Sequence, residues 1–225
     1  MYSHKRGRAA DAGEQTHDVL MRILHARQPA LRDHASGVAE LAVAVARRFG
    51  MTLEEIDELG RAAELHDIGK VGIPDAVLDK PGPLDAADWD FVRQHTLLGE
   101  RILNAAETLR PVARIVRSTH ERWDGTGYPD RLTTTEIPAR ARIIAVCDAY
   151  AAMTAGRPYR PAFTHDDACQ ELRAHAGTQF DPEVVDLFLD QAAARPPVAP
   201  SDSEGLTPAS DIAEHLRTLL ATATP

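Results

Sequence analysis

The chain has 225 residues and a formal net charge of −9, from 25 Lys+Arg against 34 Asp+Glu. Its 44% hydrophobic and 26% charged content is that of a globular protein and excludes a largely disordered or collagenous chain. The acidic balance argues against nonspecific binding to a nucleic acid duplex, which needs a basic surface.

Residues 1–15 are polar and small, with Lys5, Arg6 and Arg8 clustered, and read as a flexible N-terminal tail. Periodicity begins near Val19. Over 34–49 (HASGVAELAVAVARRF) Val38, Leu41, Val45 and Ala46 share one helical face, and Gly50 ends it. Thr52 and Glu55 form a capping box, followed by an apolar stripe of Leu53, Ile56 and Leu59 that runs to Leu65 and His66. Gly72, Pro74, Pro81, Gly82 and Pro83 make 71–83 a loop with room for one helical turn. Helices are expected from Asp85 to Ile102 and from Leu109 to His120, with a second long loop over 124–138 (DGTGYPDRLTTTEIP). An alanine-rich, buried helix follows from Pro138, a plausible first helical residue, to Met153. Thr164 with Asp167, and Asp181 with Pro182, start two more.

No run of alternating β-branched residues stands out. The expectation is an all-α, compact bundle of about seven or eight helices over 16–194. Residues 195–225 are expected to be a linker and a short C-terminal amphipathic helix, with Ile212, Leu216, Leu219 and Leu220 on its face. No stretch reaches the roughly 18 apolar residues of a membrane helix, and the N-terminus has no apolar signal core. Two cysteines, Cys147 and Cys169, give no disulfide framework. The expected setting is cytoplasmic, with no membrane partner.

Histidine and aspartate placement carries the chemical signal. His66 and Asp67 are adjacent at the end of an apolar helix. His95 shares a face with Val92, Gly99 and Ile102; His120 lies one turn after Val116; Asp148 lies one turn after Ile144; His34 opens its helix at the apolar edge. Each alone reads as a satisfied core residue. Together, on separate elements, they point to a shared metal site, because buried charged groups must be paired or bound to metal. Imidazoles and carboxylates without cysteine suit iron, manganese, nickel or zinc rather than magnesium or calcium.

The blocks LHDIGKVGIPDAVLDKPGPL (65–84), HTLLGERIL (95–103), HERWDGTGYPDRL (120–132), IPARARIIAVCDAYAAMTAGRPYRPA (137–162) and GTQFDP (177–182) resemble, in order, the HD superfamily of metal-dependent phosphohydrolases, and within it the HD-GYP branch. The resemblance implies an all-α HD domain that hydrolyses cyclic di-GMP to linear pGpG, with GMP as a further product left open. It implies a dinuclear centre of two divalent transition-metal ions, iron or manganese foremost and nickel or zinc as alternatives, with a bridging hydroxide. It implies His34, His66, Asp67, His95, His120 and Asp148 as metal ligands, Asp67 bridging and catalytic. Lys70 is then the catalytic cation at a phosphate, and Arg157 and Arg160 face the dinucleotide. Gly127, Tyr128 and Pro129 are the GYP, a loop the family associates with substrate access and with docking diguanylate cyclase domains; a homodimer is the other partner expected.

Bland readings stand beside these. Lys70 could be a plain exposed lysine, Arg157 and Arg160 could be surface ion-pair partners, and Trp123 and Tyr128 could pack the loop instead of stacking on guanine. Three positions depart from the family. Thr119 replaces the first of two consecutive histidines, Ala30 stands where some members carry a third-metal glutamate, and Ala151 replaces a supporting aspartate. Two alternatives therefore stay open: a degenerate module that binds a cyclic dinucleotide or a cyclase domain without turnover, and the same chemistry on another cyclic dinucleotide or phosphoester.

Overall fold

The computed structural model describes residues 2–29, 31–78, 80, 82–155 and 162–194, with backbone alone for 2–12, 31, 193 and 194. The expected C-terminal helix, Arg157, Arg160 and Ala30 lie outside the described residues. Ten α-helical segments are described: α1 (Tyr2–Arg27), α2 (Leu31–Phe49), α3 (Leu53–Leu65), α4 (Asp75–Leu78), α5 (Ala86–Arg93), α6 (His95–Asn104), α7 (Arg110–Arg117), α8 (Ala139–Thr154), α9 (His165–Ala174) and α10 (Pro182–Ala194). Among the described residues there is no strand, only an isolated bridge between Ala176 and Phe180. No described helix is long and apolar enough to cross a membrane.

The core follows the helical periodicity. α2 turns Val38, Ala42, Val45 and Ala46 inward, and α3 turns Leu59, Ala62, Ala63 and Leu65, all fully buried. Alanines on both facing helices let the backbones approach closely, and α2 packs against α3 on one side and α8 on the other. α8 buries residues around its whole circumference, including Ile143, Ile144, Val146 and Cys147, as its composition predicts for the central helix. Phe188 of α10 closes the far side, 1% exposed and with its ring 4.8 Å from that of Tyr150. Phe188→Ala is expected to cost about 3–5 kcal/mol of stability, read as a lowered urea midpoint, because it opens a cavity in a closed core.

The local signals at helix starts hold at α3: Thr52 Oγ1 accepts from the Glu55 amide at 3.3 Å and the Glu55 carboxylate accepts from the Thr52 amide at 2.9 Å. Leu53, placed by sequence on the apolar stripe, is instead 85% exposed, as the first residue of α3 in an exposed helix start. Pro138 is the residue before α8 and not its first member. Residues 2–15, expected as a loose tail, continue α1.

The helix count exceeds the expectation on two grounds. The loop over 71–83 uses its room for one helical turn, α4. The helix expected over 85–102 is broken at Gln94, where the amide bonds back to Phe91 O at 3.1 Å in the tighter i−3 pattern. The Val92 carbonyl, which an unbroken helix would give to a later amide, is taken by the His95 ring at 2.6 Å. The break therefore puts His95 at the head of α6.

Candidate metal centre

Three helices, the chain just beyond two others, and one tight turn converge on a single point. α2 supplies His34 in its first turn. α3 ends at Leu65, leaving His66 and Asp67 just beyond it. A 3₁₀ turn, Ile68–Gly72, then carries Lys70. α6 begins with His95, the chain after α7 holds His120, and α8 carries Asp148.

Glycines make this convergence possible. A Cβ on Gly69 would lie 1.8 Å from the His95 carbonyl oxygen and 2.7 Å from the Gly99 amide nitrogen. A Cβ on Gly99 would lie 3.1 Å from Val116 Cγ1. The turn at 68–72 thus lies directly on the α6 backbone, which brings Asp67 to His95.

The side chains form two groups. In the first, His34 Nε2 is 2.9 Å from Asp148 Oδ1, and His66 Nε2 is 3.8 Å from the same oxygen. In the second, His95 Nε2 is 3.8 Å from Asp67 Oδ1, and His120 completes the set. Within each triad the ligand atoms all lie within 4.8 Å of one another. Asp67 sits between the triads: its Oδ2 is 3.4 Å from His66 Nε2, while its Oδ1 faces His95. Lys70 Nζ donates to Asp67 Oδ2 at 2.8 Å.

Two histidines are set for metal by their own backbone. His66 Nδ1 lies 2.7 Å from Ala63 O and His95 Nδ1 lies 2.6 Å from Val92 O. A carbonyl only accepts, so each Nδ1 carries the proton and each Nε2 presents a lone pair to the centre. Burial, followed by the nearby His120, lowers the His95 pKa to about 3, so the ring is neutral as a ligand must be. Burial alone would raise the Asp67 carboxyl, but Lys70, then His66 and His95, hold it well below the usual carboxylate range. At Asp148 burial is likewise outweighed, chiefly by the hydrogen bond from His34, and the carboxyl is again depressed.

The residues fit a pair of cations. Asp67 and His95 are each 2% exposed, and Asp67 Oδ1 and His95 Nε2 have no hydrogen-bond partner. An acceptor oxygen and a lone-pair nitrogen buried together cannot satisfy one another; a divalent ion satisfies both. His34, His120 and Asp148 are only partly buried and mark the open side.

The GYP residues take a supporting place. The Tyr128 ring stacks on His120, centroids 5.2 Å apart at 10°, and its amide donates to His120 O at 3.1 Å. Tyr128 is 9% exposed, with its hydroxyl driven well above its ordinary pKa by burial. A Cβ on Gly127 would lie 2.3 Å from the Arg122 amide nitrogen, so this glycine serves close backbone approach. Trp123 is partly buried with the Arg142 guanidinium 5.7 Å from its ring centre, a loop-packing arrangement. Thr119 is buried and donates to Val116 O at 3.0 Å, so its hydroxyl is committed to backbone. Ala151 packs partly buried against the core. Cys147 is wholly buried, as expected for a core residue.

Sequence reading missed the charges that shape this loop. Glu121 accepts from the amides of Asp130 (2.7 Å) and Leu132 (3.1 Å). Arg122 reaches Thr126 Oγ1 at 2.8 Å and Asp124 Oδ2 at 2.9 Å. Residues 178 and 179 of the GTQFDP block receive the amides of Asp124 and Trp123. The available signal was a cluster of charged residues around a glycine-rich turn, which is the pattern of a loop held by its own side chains.

Comparison with known proteins places the fold in a family. The chain is 37% identical over 185 residues to the 3'3'-cGAMP-specific phosphodiesterase 2 of Vibrio cholerae, covering 80% of this chain and 35% of that protein. It is 38% identical over 174 residues to the cyclic di-GMP phosphodiesterase of Thermotoga maritima, covering 76% and 47% respectively. The chain thus spans about a third to a half of these relatives' lengths. The crystal structure of a cyclic GMP-AMP specific phosphodiesterase of Vibrio cholerae shares the fold, with a TM-score of 0.61 at 17% identity over 79% of this chain and 47% of that one. The HD domain family profile matches residues 18–184, spanning every residue of both triads, and the chain belongs to that family.

Proposed function

We propose that the chain is a metal-dependent phosphodiesterase that opens cyclic di-GMP to linear pGpG. The observation that carries this reading is Asp67, whose two carboxylate oxygens face two different His/Asp triads while Lys70 lies against one of them. His34, His66 and Asp148 would hold one divalent ion and His95 and His120 a second, with Asp67 shared; iron or manganese suits the donors best, nickel or zinc next. Such a pair supplies an activated water and neutralises charge on the phosphoryl oxygens.

The protein's own groups do the positioning. Asp67 fixes the separation of the triads. The backbone carbonyls of Ala63 and Val92 hold the two buried rings in one tautomer. Lys70 is a buried cation with donors beyond the one given to Asp67, and those meet the negative charge that builds on a non-bridging oxygen. Arg157 and Arg160 remain proposed contacts to the second phosphate or a guanine edge, a task suited to the planar guanidinium. Diguanylate cyclase domains are the proposed partner of the 124–138 loop, and a second copy of the chain is the other proposed partner, in a cytoplasmic setting.

A second substrate has specific support, because relatives of similar identity are named for 3'3'-cGAMP. Turnover of both dinucleotides on one metal-loaded preparation, followed by chromatography of the linear products, ranks them; a cyclic di-GMP rate below one tenth of the cGAMP rate would reverse the order. Lys70→Ala is expected to reduce kcat about 10²–10³-fold while metal content stays at the wild-type level. Loss of metal in this variant would instead make Lys70 a support for Asp67.

A further inference from the structure

The second triad is assembled from parts that are not consecutive. His95 heads α6, His120 follows α7, and Tyr128 comes back over His120 from the loop. Arg117, in the last turn of α7, touches all three parts. Its Nε and Nη2 donate to the two carboxylate oxygens of Asp130, at 2.6 and 2.7 Å, in a two-pronged bond. Its Nη1 donates to Glu100 on α6. Asp130 lies two residues after Tyr128, and its amide is held by Glu121, the neighbour of His120. Partly exposed ion pairs contribute little as a rule, except where the geometry is bidentate or the charges form a network, and here both hold.

Resting on the reading of Asp67, His95 and His120 as a metal triad, we infer that Arg117 and Asp130 are positioning residues for that triad. Their bond, with Glu100 as the third member, fixes α6, α7 and the loop relative to one another. This presses the Tyr128 ring onto His120 and sets the His120 imidazole 4.8 Å from that of His95. The other triad has no member on α6, α7 or this loop. The clamp therefore acts mainly on one cation site, since its neighbour shares with it only Asp67, which lies on neither α6, α7 nor the loop. Such outer supports typically govern metal affinity about 10–100-fold.

The test is titration of the metal-free full chain with cobalt(II), followed by visible absorption and calorimetry, which needs no catalytic turnover. Wild type is expected to bind two equivalents, and His120→Ala identifies which belongs to the second triad. Arg117→Ala should weaken that equivalent about 10–100-fold and leave the first unchanged. Arg117→Lys should recover little, since an ammonium cannot make the two-pronged bond. Asp130→Ala, which removes the partner from the loop side, should reproduce the loss, and the double variant should be no worse than either single one. Lys80→Ala, in the separate Lys80–Asp85–Asp88 ion cluster, should change neither equivalent. Equal weakening of both equivalents in Arg117→Ala and Asp130→Ala, or no weakening in either, overturns the inference. A wild type that binds fewer than two equivalents overturns the triad reading itself.

Discussion

Asp67→Ala is expected to lower cyclic dinucleotide turnover on the order of 10³-fold or more and to remove at least one metal equivalent. Asp67 belongs to the second triad and also faces the first, with Oδ1 3.8 Å from His95 Nε2 and Oδ2 3.4 Å from His66 Nε2. On the proposed reading its loss would take away a ligand from each side, and it leaves the buried Lys70 without its carboxylate partner. The charge stabilisation a metal provides to a phosphoryl transition state is several kcal/mol, and each 1.36 kcal/mol is tenfold in rate. Asp67→Asn keeps the shape and one acceptor oxygen, so it should retain more metal than the alanine variant while remaining nearly inactive. Elemental analysis and single-turnover kinetics on the same samples check both statements. Retention of two metals and of a tenth or more of the activity in Asp67→Ala would remove Asp67 from the bridging role.

Gly69→Ala should have the largest effect on the fold around the site. The added Cβ would stand 1.8 Å from the His95 carbonyl oxygen and 2.7 Å from the Gly99 amide nitrogen, and both are backbone atoms of α6 that cannot rotate away. The 68–72 turn must then lift from α6, carrying Asp67 away from His95. Overpacking of this kind costs about 1–3 kcal/mol and more where backbone must move. A loss of about 3 kcal/mol or more is therefore expected, read from the urea midpoint, together with loss of the second metal equivalent. Gly99→Ala meets the Val116 Cγ1 methyl at 3.1 Å and otherwise only ordinary contacts, Ile68 Cγ2 at 3.4 Å and the Gly69 amide nitrogen at 3.5 Å, and should be milder. An unchanged midpoint in Gly69→Ala would mean that the turn and α6 are not held in this contact.

The sequence made much of this legible because the chemistry is local. His66, Asp67 and Lys70 fall in one short segment, and His95, His120 and Asp148 each follow an apolar residue at helical spacing, so burial could be read from periodicity. The all-α class followed from the same periodicity. The break at Gln94 was not legible, because the His95 ring takes the Val92 carbonyl three residues back, a side-chain-to-backbone bond that hydrophobic periodicity does not register. Leu53 was misplaced because periodicity assigns a face but not how much of that face a neighbour covers. The continuation of α1 through 2–15 was missed because its polar, small residues lack an apolar stripe. Gly127 and Tyr128 were expected in a loop that governs substrate access. Their backbone and ring also pack on Arg122 and His120, a role that only the three-dimensional return of the loop reveals.

Thr119 bears on the same centre. Its hydroxyl is bonded to Val116 O, and the second triad is complete without it, from Asp67, His95 and His120. A histidine missing from that position therefore does not leave either triad short of three protein donors.

The most direct measurement is turnover of cyclic di-GMP by the anaerobically purified full chain, with metal content determined on the same sample. About two equivalents of iron or manganese per chain, with linear pGpG formed by wild type and none by Asp67→Ala, is the expected result. Two bound equivalents with no linear product from cyclic di-GMP or 3'3'-cGAMP would contradict the enzymatic reading and leave a module that binds the dinucleotide without cleaving it.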